Sequence, residues 1–190
     1  MGAAFSLFDW VTKQATATES PSSAPANKVH LQMSTEQRFT ASVRGMLHWC
    51  RLNERLVAQH HANEARVYAG FERFSRVARS IRRYRDIGRV VQKLTVFGCP
   101  DVPLPLGAEK IAVSEDHPLA REWFLIINAP EYKALIAARD LDGFGPTGPL
   151  ANRRFSGIAL HHERLVQNAC EHLDSEASQL ANGRTVSQHL

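Results

Sequence analysis

Histidine and cysteine are the residues of this sequence with the most versatile chemistry. The chain has nine histidines and three cysteines. His60 and His61 are adjacent, and so are His161 and His162, whereas two imidazoles that bind one zinc ion from a helix stand four residues apart. We therefore expect capping or surface roles for these histidines and no metal site.

Motifs for a catalytic nucleophile or for a bound phosphate are absent from the sequence. Ser156 precedes Gly157, but the first glycine of a G-x-S-x-G motif is missing. Gly143 and Gly145 are followed by Pro146, which suits a loop and not a dinucleotide-binding turn. The sequence thus predicts a protein that is not an enzyme.

The three cysteines, Cys50, Cys99 and Cys170, are far apart and odd in number. This pattern indicates a reducing compartment, and we expect a cytoplasmic protein. Isolated cysteines are usually small buried apolar residues. Cys99 precedes Pro100 in a predicted loop, so it is the thiol expected to be most accessible and a candidate ligand-binding residue, even for a covalently held chromophore. The cofactor is otherwise unknown.

Charged residues next to a strongly apolar segment suggest a ligand-binding site. Arg121, Glu122 and Trp123 directly precede the apolar run FLIIN. One interpretation is a structural salt bridge with Trp123 in the core. The other places Arg121 with Arg153 and Arg154 at the mouth of a pocket for a small anionic ligand, because guanidinium groups bind carboxylates and phosphates well.

Positive charge is concentrated in the middle of the chain. The formal net charge is +4, and residues 64–93 contain nine basic and three acidic residues. On a predicted helix the arginines form either a solvated face or a surface for an acidic protein partner. We do not expect nucleic-acid binding, which normally adds exposed aromatics or a helix-turn-helix. The candidate interaction residues here are Arg73, Arg76, Arg79 and Arg83.

The amino-terminal third suggests a second interaction surface. Residues 1–13 form an apolar docking stub, residues 14–33 a flexible linker rich in small polar residues and proline, and residues 35–60 a long helix that Ser34 begins. That helix has more apolar surface than one face can bury, so we expect self-association or a protein partner. The candidate contacts are Phe5, Phe8, Trp10, Trp49 and Leu56.

The remaining pattern predicts an α/β (α+β) fold. We expect a single mixed sheet of about five strands with helices packed on it, including long N-terminal and C-terminal helices. The domain spans residues 34–180, and residues 181–190 form a frayed tail. Strands are predicted at residues 65–70, 93–97, 110–113, 122–128 and 154–160, a strand or a helix at 132–140, helices at 71–88 and 161–180, and a flexible loop at 141–152. No apolar run is long enough to cross a bilayer.

Several short segments in a shared order resemble the DICT family of sensory domains. They are SLF at residues 6–8, YAGFERF at 68–74, VFGCPD at 96–101, PLAREWF at 118–124, INAPEY at 127–132 and RRFSG at 153–157. The resemblance covers about residues 64–180 and the amino-terminal stub.

This resemblance implies a role in bacterial signal transduction, and by association in light responses. No cyclase, kinase or DNA-binding module accompanies the domain in this sequence. We therefore predict a sensor or adaptor that binds a small ligand or a signalling partner and acts through protein contacts. The alternative is a structural subunit of a larger assembly that docks through the amino-terminal stub and helix.

Overall fold

A mixed β-sheet organises the part of the chain that the structure, a computed structural model, describes: residues 4–18, 36–59, 63–142 and 153–187. Within these ranges the sheet has seven strands in the order β1-β7-β6-β5-β2-β3-β4. The pairs β2–β3 and β3–β4 are parallel and the others antiparallel. The strands are β1 (Gln37–Ser42), β2 (Arg66–Arg73), β3 (Lys93–Cys99), β4 (Glu109–Ala112), β5 (Glu122–Asn128), β6 (Lys133–Asp140) and β7 (Arg154–Leu160).

Helices cover both faces of this sheet. One face carries α1 (Leu7–Thr18) and α5 (Glu163–Ser187), and the other carries α2 (Val43–Gln59), α3 (Phe74–Ala78) and α4 (Ile81–Val90). A short 3-10 helix, Pro118–Arg121, leads into β5. Among these residues no helix is both long and apolar enough to cross a bilayer.

Strand β5 shows why the sheet needs helices on both sides. Phe124 and Ile126 are buried in the core beneath α1 and α5, whereas Leu125 and Ile127 are buried in the core beneath α2 and α4. Successive side chains of a strand point to opposite faces, so a continuous apolar run requires two covered faces. The α/β (α+β) class and the single mixed sheet are confirmed, but the sheet is larger than the five strands predicted.

The first additional strand lies in the segment predicted as the start of the 35–60 helix. Residues 37–42 form β1 and pair with β7, and α2 begins only at Val43. Phe39 packs directly over Gly157, where an added Cβ would lie 2.3 Å from the ring. Pairing with a distant strand thus overrides the local helical pattern, and the predicted cap Ser34 lies outside the described residues.

The predicted helix at 71–88 is wrong in its first part. Strand β2 continues through Arg73, and two short helices, α3 and α4, follow it with a break at Arg79 and Ser80. The predicted apolar face is nevertheless present, because Phe74, Val77 and Tyr84 are buried on one side. Ala78, expected on that side, is exposed at the end of α3.

The predicted boundaries at the two ends also differ from the structure. Helix α1 continues to Thr18, so it includes the first residues of the predicted linker, and residues 19–35 lie outside the described part. Helix α5 continues to Ser187, so it includes most of the tail, residues 181–190, that was predicted to fray. Residues 143–152, predicted as a loop, are likewise outside it. The segment 132–140, for which a helix was the alternative, contains strand β6.

Candidate ligand-binding site

The end of β2 contains an irregularity that directs a carboxylate inwards. The register between β2 and β3 shifts between Gly70 and Arg73. Within this bulge Glu72 has a φ of 55°, in the left-handed region that non-glycine residues rarely adopt, and its side chain is 1% exposed. The bulge therefore gives Glu72 an orientation that a regular strand would not.

Glu72 belongs to a buried ionic cluster. Arg153 donates to both of its carboxylate oxygens, at 2.7 and 3.1 Å, and also pairs with Asp140. Arg76, one turn further along, pairs with Glu72 from the other side. Burying charges requires such pairing, because an isolated charge in a protein interior loses its hydration without compensation. The cluster thus joins β2, α3, β6 and the start of β7.

A cavity of about 160 Å³ lies next to this cluster, between α2 and the end of β2. Its walls combine apolar side chains with arginines. Trp123 and Phe155 form an edge-to-face pair with centroids 5.5 Å apart. The lining residues are Val43, Leu47, Arg51, Phe71, Glu72, Arg76, Arg79, Ser80, Trp123 and Phe155.

The charges around the cavity are predominantly positive. Among the described residues that line it, Arg51, Arg76 and Arg79 are basic and Glu72 is the one acid. Burial, and secondarily the nearby Arg153 guanidinium, lower the pKa of Arg76 to about 10. Arg76 is therefore partly desolvated, whereas Arg51 and Arg79 are exposed residues. Together they give the lining an excess of cations, which favours an anion.

A second buried polar cluster fixes α4 against α2 behind the cavity. The Tyr84 hydroxyl donates to Glu54 at 2.8 Å, and Arg83 pairs with the same carboxylate. Burial raises the pKa of Glu54 although Arg83 opposes that shift. The helix that carries Leu47 and Arg51 into the cavity wall is thus anchored by a hydrogen-bonded carboxylate.

This arrangement suits binding better than reaction. The carboxylate of Glu72 is already bonded to arginines, so it is a poor general base. The thiols of Cys50, Cys99 and Cys170 are buried, and burial raises the pKa of each, which disfavours the reactive thiolate. Nor do the described residues contain a group of three potential metal ligands.

Four residues predicted from the sequence meet at this site. Trp123, Arg76 and Arg79 line the cavity, and Arg153 lies in the ionic cluster beside it. Two predicted groups, the proposed anion pocket and the arginine face, thus contribute to one site. The reason is that the bulge at Glu72 brings the start of α3 next to the start of β7.

The other predicted ligand residues lie elsewhere. Glu122 is buried on the opposite face of the sheet, against α1, because it alternates with Trp123. Arg121 is exposed, and Arg154 is exposed and pairs with Asp142. Cys99 is only 3% exposed, so its predicted accessibility is wrong: β3 extends to include it instead of ending before it.

Arg73 and Arg83 of the predicted arginine face have local partners. Arg73 pairs with Glu115 at 2.6 Å, and Arg83 pairs with Glu54. Arg73 therefore points towards the loop before the 3-10 helix and not towards the cavity. The prediction of an acidic partner for these arginines remains a prediction.

The predicted amino-terminal contact residues pack within this chain. Phe5, Phe8 and Trp10 are partly buried against the core beneath α1 and α5, and the ring centroids of Trp10 and His172 are 4.8 Å apart. Trp49 packs edge-to-face on Phe39 at 4.5 Å. Leu56, on α2, is partly exposed. Much of the apolar area from which we predicted assembly is thus covered by the chain itself.

Sequence reasoning missed Glu72 and Asp140, which complete the ionic cluster. One signal was present, since Glu72 is one of two acids, with Asp86, in the arginine-rich segment 71–88 that follows the predicted strand. Leu47, Phe71 and Phe155 were also missed as cavity residues. Nothing local in the sequence distinguishes them from ordinary core residues.

The chain belongs to the DICT family, whose model describes a sensory domain in diguanylate cyclases and two-component systems. The match covers residues 26–141, which include every cavity-lining residue except Phe155. The match starts before residue 64 and ends at residue 141, so it leaves out the amino-terminal stub and residues 142–180, which the resemblance judged from short segments included. The family is a sensory one and not a catalytic one, in agreement with the predicted signalling role. No curated protein matches the chain.

Proposed function

We propose that the chain senses its signal by binding a small ligand in the cavity between α2 and the end of β2, and that it responds through protein contacts. The observation that carries this proposal is the cavity itself, open beside a buried ionic cluster and lined by aromatic rings and arginines. Sites for small molecules are concave and mostly apolar, with a few polar groups that orient the ligand.

The backbone at Glu72 supports this assignment. A non-glycine residue at a φ of 55° costs of order 1 kcal/mol, and such residues cluster where ligands bind. Here the unusual conformation directs the carboxylate to Arg153 and Arg76. Those contacts hold Arg76 at the cavity wall before any ligand arrives, which reduces the entropy lost on binding.

The position of the cavity suggests how occupancy is transmitted. One wall belongs to α2 and another to the sheet, so a ligand that contacts both would change how α2 packs. Strand β5 also contributes Trp123 to the cavity and Glu122 to the contact with α1. Because Glu122 and Trp123 are adjacent, a displacement of Trp123 by the ligand would alter the contact between Glu122 and the amino-terminal helix.

The alternative, a structural interaction subunit, is favoured by one observation. Leu52 on α2 is 52% exposed, and Leu56 lies one turn further on. These side chains form an outer surface on α2, away from the cavity. A dimer that forms without ligand and is lost in Leu52→Ser would support this alternative.

Native mass spectrometry of the full chain after incubation with a cell metabolite extract tests the proposal. We expect a bound small molecule on the unaltered protein. Leu47→Trp, which fills the cavity, should abolish that adduct. Leu52→Trp, on the exposed side of the same helix, is the matched control and should retain it. Equal adducts on both variants, or none on the unaltered protein, would contradict a ligand in this cavity.

A further inference from the structure

We propose that the ligand is a carboxylate attached to a single aromatic ring, of which benzoate is the smallest representative. This inference rests on the proposed function, because it names the chemistry of the molecule that the cavity binds. Three features of the cavity lead to it: its size, its aromatic walls and its arginines.

The size of the cavity matches about one ring. Its volume is about 160 Å³. An engineered apolar protein cavity of about 150 Å³ binds benzene. A single six-membered ring therefore fits, whereas a nucleotide, a flavin or a linear tetrapyrrole requires several times this space.

The apolar walls favour a flat aromatic body. Trp123 and Phe155 meet at an interplanar angle of 90°, so a ring placed beside them meets the face of one and the edge of the other. Phe71 contributes a third aromatic wall and is itself held edge-to-face on Tyr84 at 5.1 Å. Aromatic pairs prefer these offset and edge-to-face arrangements.

The arginines determine the charge of the ligand. Arg51 lines the cavity from α2, Arg76 from α3 and Arg79 from the break after α3. The carboxylate of Glu72 is shared between Arg76 and Arg153. Within the described part of the chain, neither Arg51 nor Arg79 forms a salt bridge, although Arg51 is near enough to Glu54 to favour its ionised form. A planar guanidinium binds a carboxylate through two parallel hydrogen bonds, so these side chains are suited to the acidic end of the ligand.

The electrostatic state of Arg76 supports the same conclusion. Burial and the neighbouring Arg153 cation lower its pKa to about 10, so holding its charge is less favourable than in water. A ligand carboxylate next to Arg76 would offset that penalty. A neutral ligand of the same shape would not, and we therefore expect discrimination by charge.

A titration of the full chain with benzoate, followed through the indole N–H resonance of Trp123 by two-dimensional NMR, tests this proposal. Benzyl alcohol provides the ring without the charge, acetate the charge without the ring, and phenyl phosphate a different acid. We expect benzoate to shift the Trp123 resonance to saturation and to bind at least tenfold more tightly than each of the other three compounds.

Arginine variants test whether these side chains bind the carboxylate of benzoate. Arg79→Gln and Arg51→Gln should each weaken benzoate at least fivefold. Arg82→Gln is the matched control, since Arg82 is an exposed arginine of α4 outside the cavity lining, and it should stay within twofold. Arg76 is unsuitable as the first variant because its removal also alters the pairing of Glu72.

The outcomes separate the ligand class from the proposed function. Benzyl alcohol, acetate or phenyl phosphate binding as tightly as benzoate would overturn the aromatic carboxylate, and so would benzoate affinity unchanged in Arg51→Gln and Arg79→Gln. In each case a shift of Trp123 would leave the cavity as a ligand site. If neither benzoate nor the metabolite extract perturbs Trp123, the class and the proposed function both fail.

Discussion

Glu72 combines a left-handed backbone, a buried side chain and two arginine partners at one position. Breaking a buried ion pair from one side leaves the other charge without compensation. We predict that Glu72→Gln lowers the free energy of unfolding by about 3 kcal/mol, measured by urea denaturation. Glu115→Gln, which removes the exposed partner of Arg73, is the control and should change it by less than about 0.5 kcal/mol. Equal losses of unfolding free energy in the two variants would show that the ion pairs of Glu72 stabilise the fold no more than an exposed ion pair does.

Gly70 offers a second test at the residue scale, based on packing. A Cβ added there would lie 2.2 Å from the Phe124 ring, whereas one added at Gly107 meets nothing within 4 Å. We predict that Gly70→Ala lowers the free energy of unfolding by about 1–3 kcal/mol through overpacking, and that Gly107→Ala leaves it nearly unchanged. A further Phe124→Leu substitution should recover part of the loss in Gly70→Ala. A neutral Gly70→Ala would mean that this side of the sheet is loosely packed.

Some residues of the site were predictable and others were not, for a physical reason. Trp123 and Arg153 stand next to strands whose apolar runs are evident in the sequence. Glu72 and Asp140 gain their role only from a bulge in one strand and from the neighbouring position of two others. No local pattern specifies which distant strands become neighbours.

The contact between β5 and α1 belongs to the scale of elements. Ser6 donates to Glu122 at 2.5 Å, and the Phe8 amide donates to the same carboxylate at 3.2 Å. Arg139, the cross-strand neighbour of Glu122, pairs with Asp9 of α1 at 2.6 Å. Because Glu122 satisfies amide and hydroxyl donors at the start of α1, it holds this helix on the sheet.

Burial gives this contact a dependence on pH. It raises the pKa of Glu122 to about 7, above the ordinary value of 4.5. A carboxyl with a raised pKa in the fold contributes stability that is fully present below the unfolded pKa and is lost as the pH rises through the folded pKa. The window is therefore pH 4.5 to about 7, and the contribution is up to about 3 kcal/mol.

We predict that the unaltered protein loses more unfolding free energy between pH 5 and pH 8 than Glu122→Gln does. Glutamine keeps the shape and an acceptor oxygen but does not ionise. Chemical denaturation at several pH values measures the unfolding free energy of both proteins. The difference between the two profiles excludes the contributions of the titratable groups that both proteins share. Parallel pH profiles would mean that Glu122 titrates as an ordinary carboxyl.

Helix α1 itself is held by a small apolar face. Leu7 and Val11 are fully buried, whereas Lys13 is exposed. We predict that Val11→Asp accelerates hydrogen exchange throughout α1 because a buried carboxylate cannot be compensated there. The amides of β5 and β6 should stay protected. Lys13→Asp is the control and should leave α1 protected; equal exchange in both variants would contradict the docking of α1 through this face.

Elements with strong local signals were predicted best. The apolar strand at 122–128 and the helix from about 161 are present as expected. Strand β1 was not predicted because residues 37–42 are held by pairing with β7, more than one hundred residues away in the sequence. The break between α3 and α4, at Arg79 and Ser80, contains neither proline nor glycine, so the sequence offered no local signal for it.

At the scale of the whole molecule, the two faces of the sheet have different structural roles. One face packs α5 and the amino-terminal helix, and the other bounds the cavity together with α2 and α3. Adjacent residues of β5 and β6 reach both sides: Glu122 and Arg139 face α1, whereas Trp123 and Asp140 lie by the cavity and its ionic cluster. The sheet thus connects the site where we propose that the signal binds with the helix that it holds in place.

The most direct test of a ligand in this cavity is a crystal structure of the full chain grown with benzoate. We predict density for the ring beside Trp123 and Phe155, with its carboxylate within hydrogen-bonding distance of Arg51 or Arg79. An empty cavity, or benzoate bound instead in the depression between the amino-terminal segment and α5 that Phe5 and His172 line, would contradict the account.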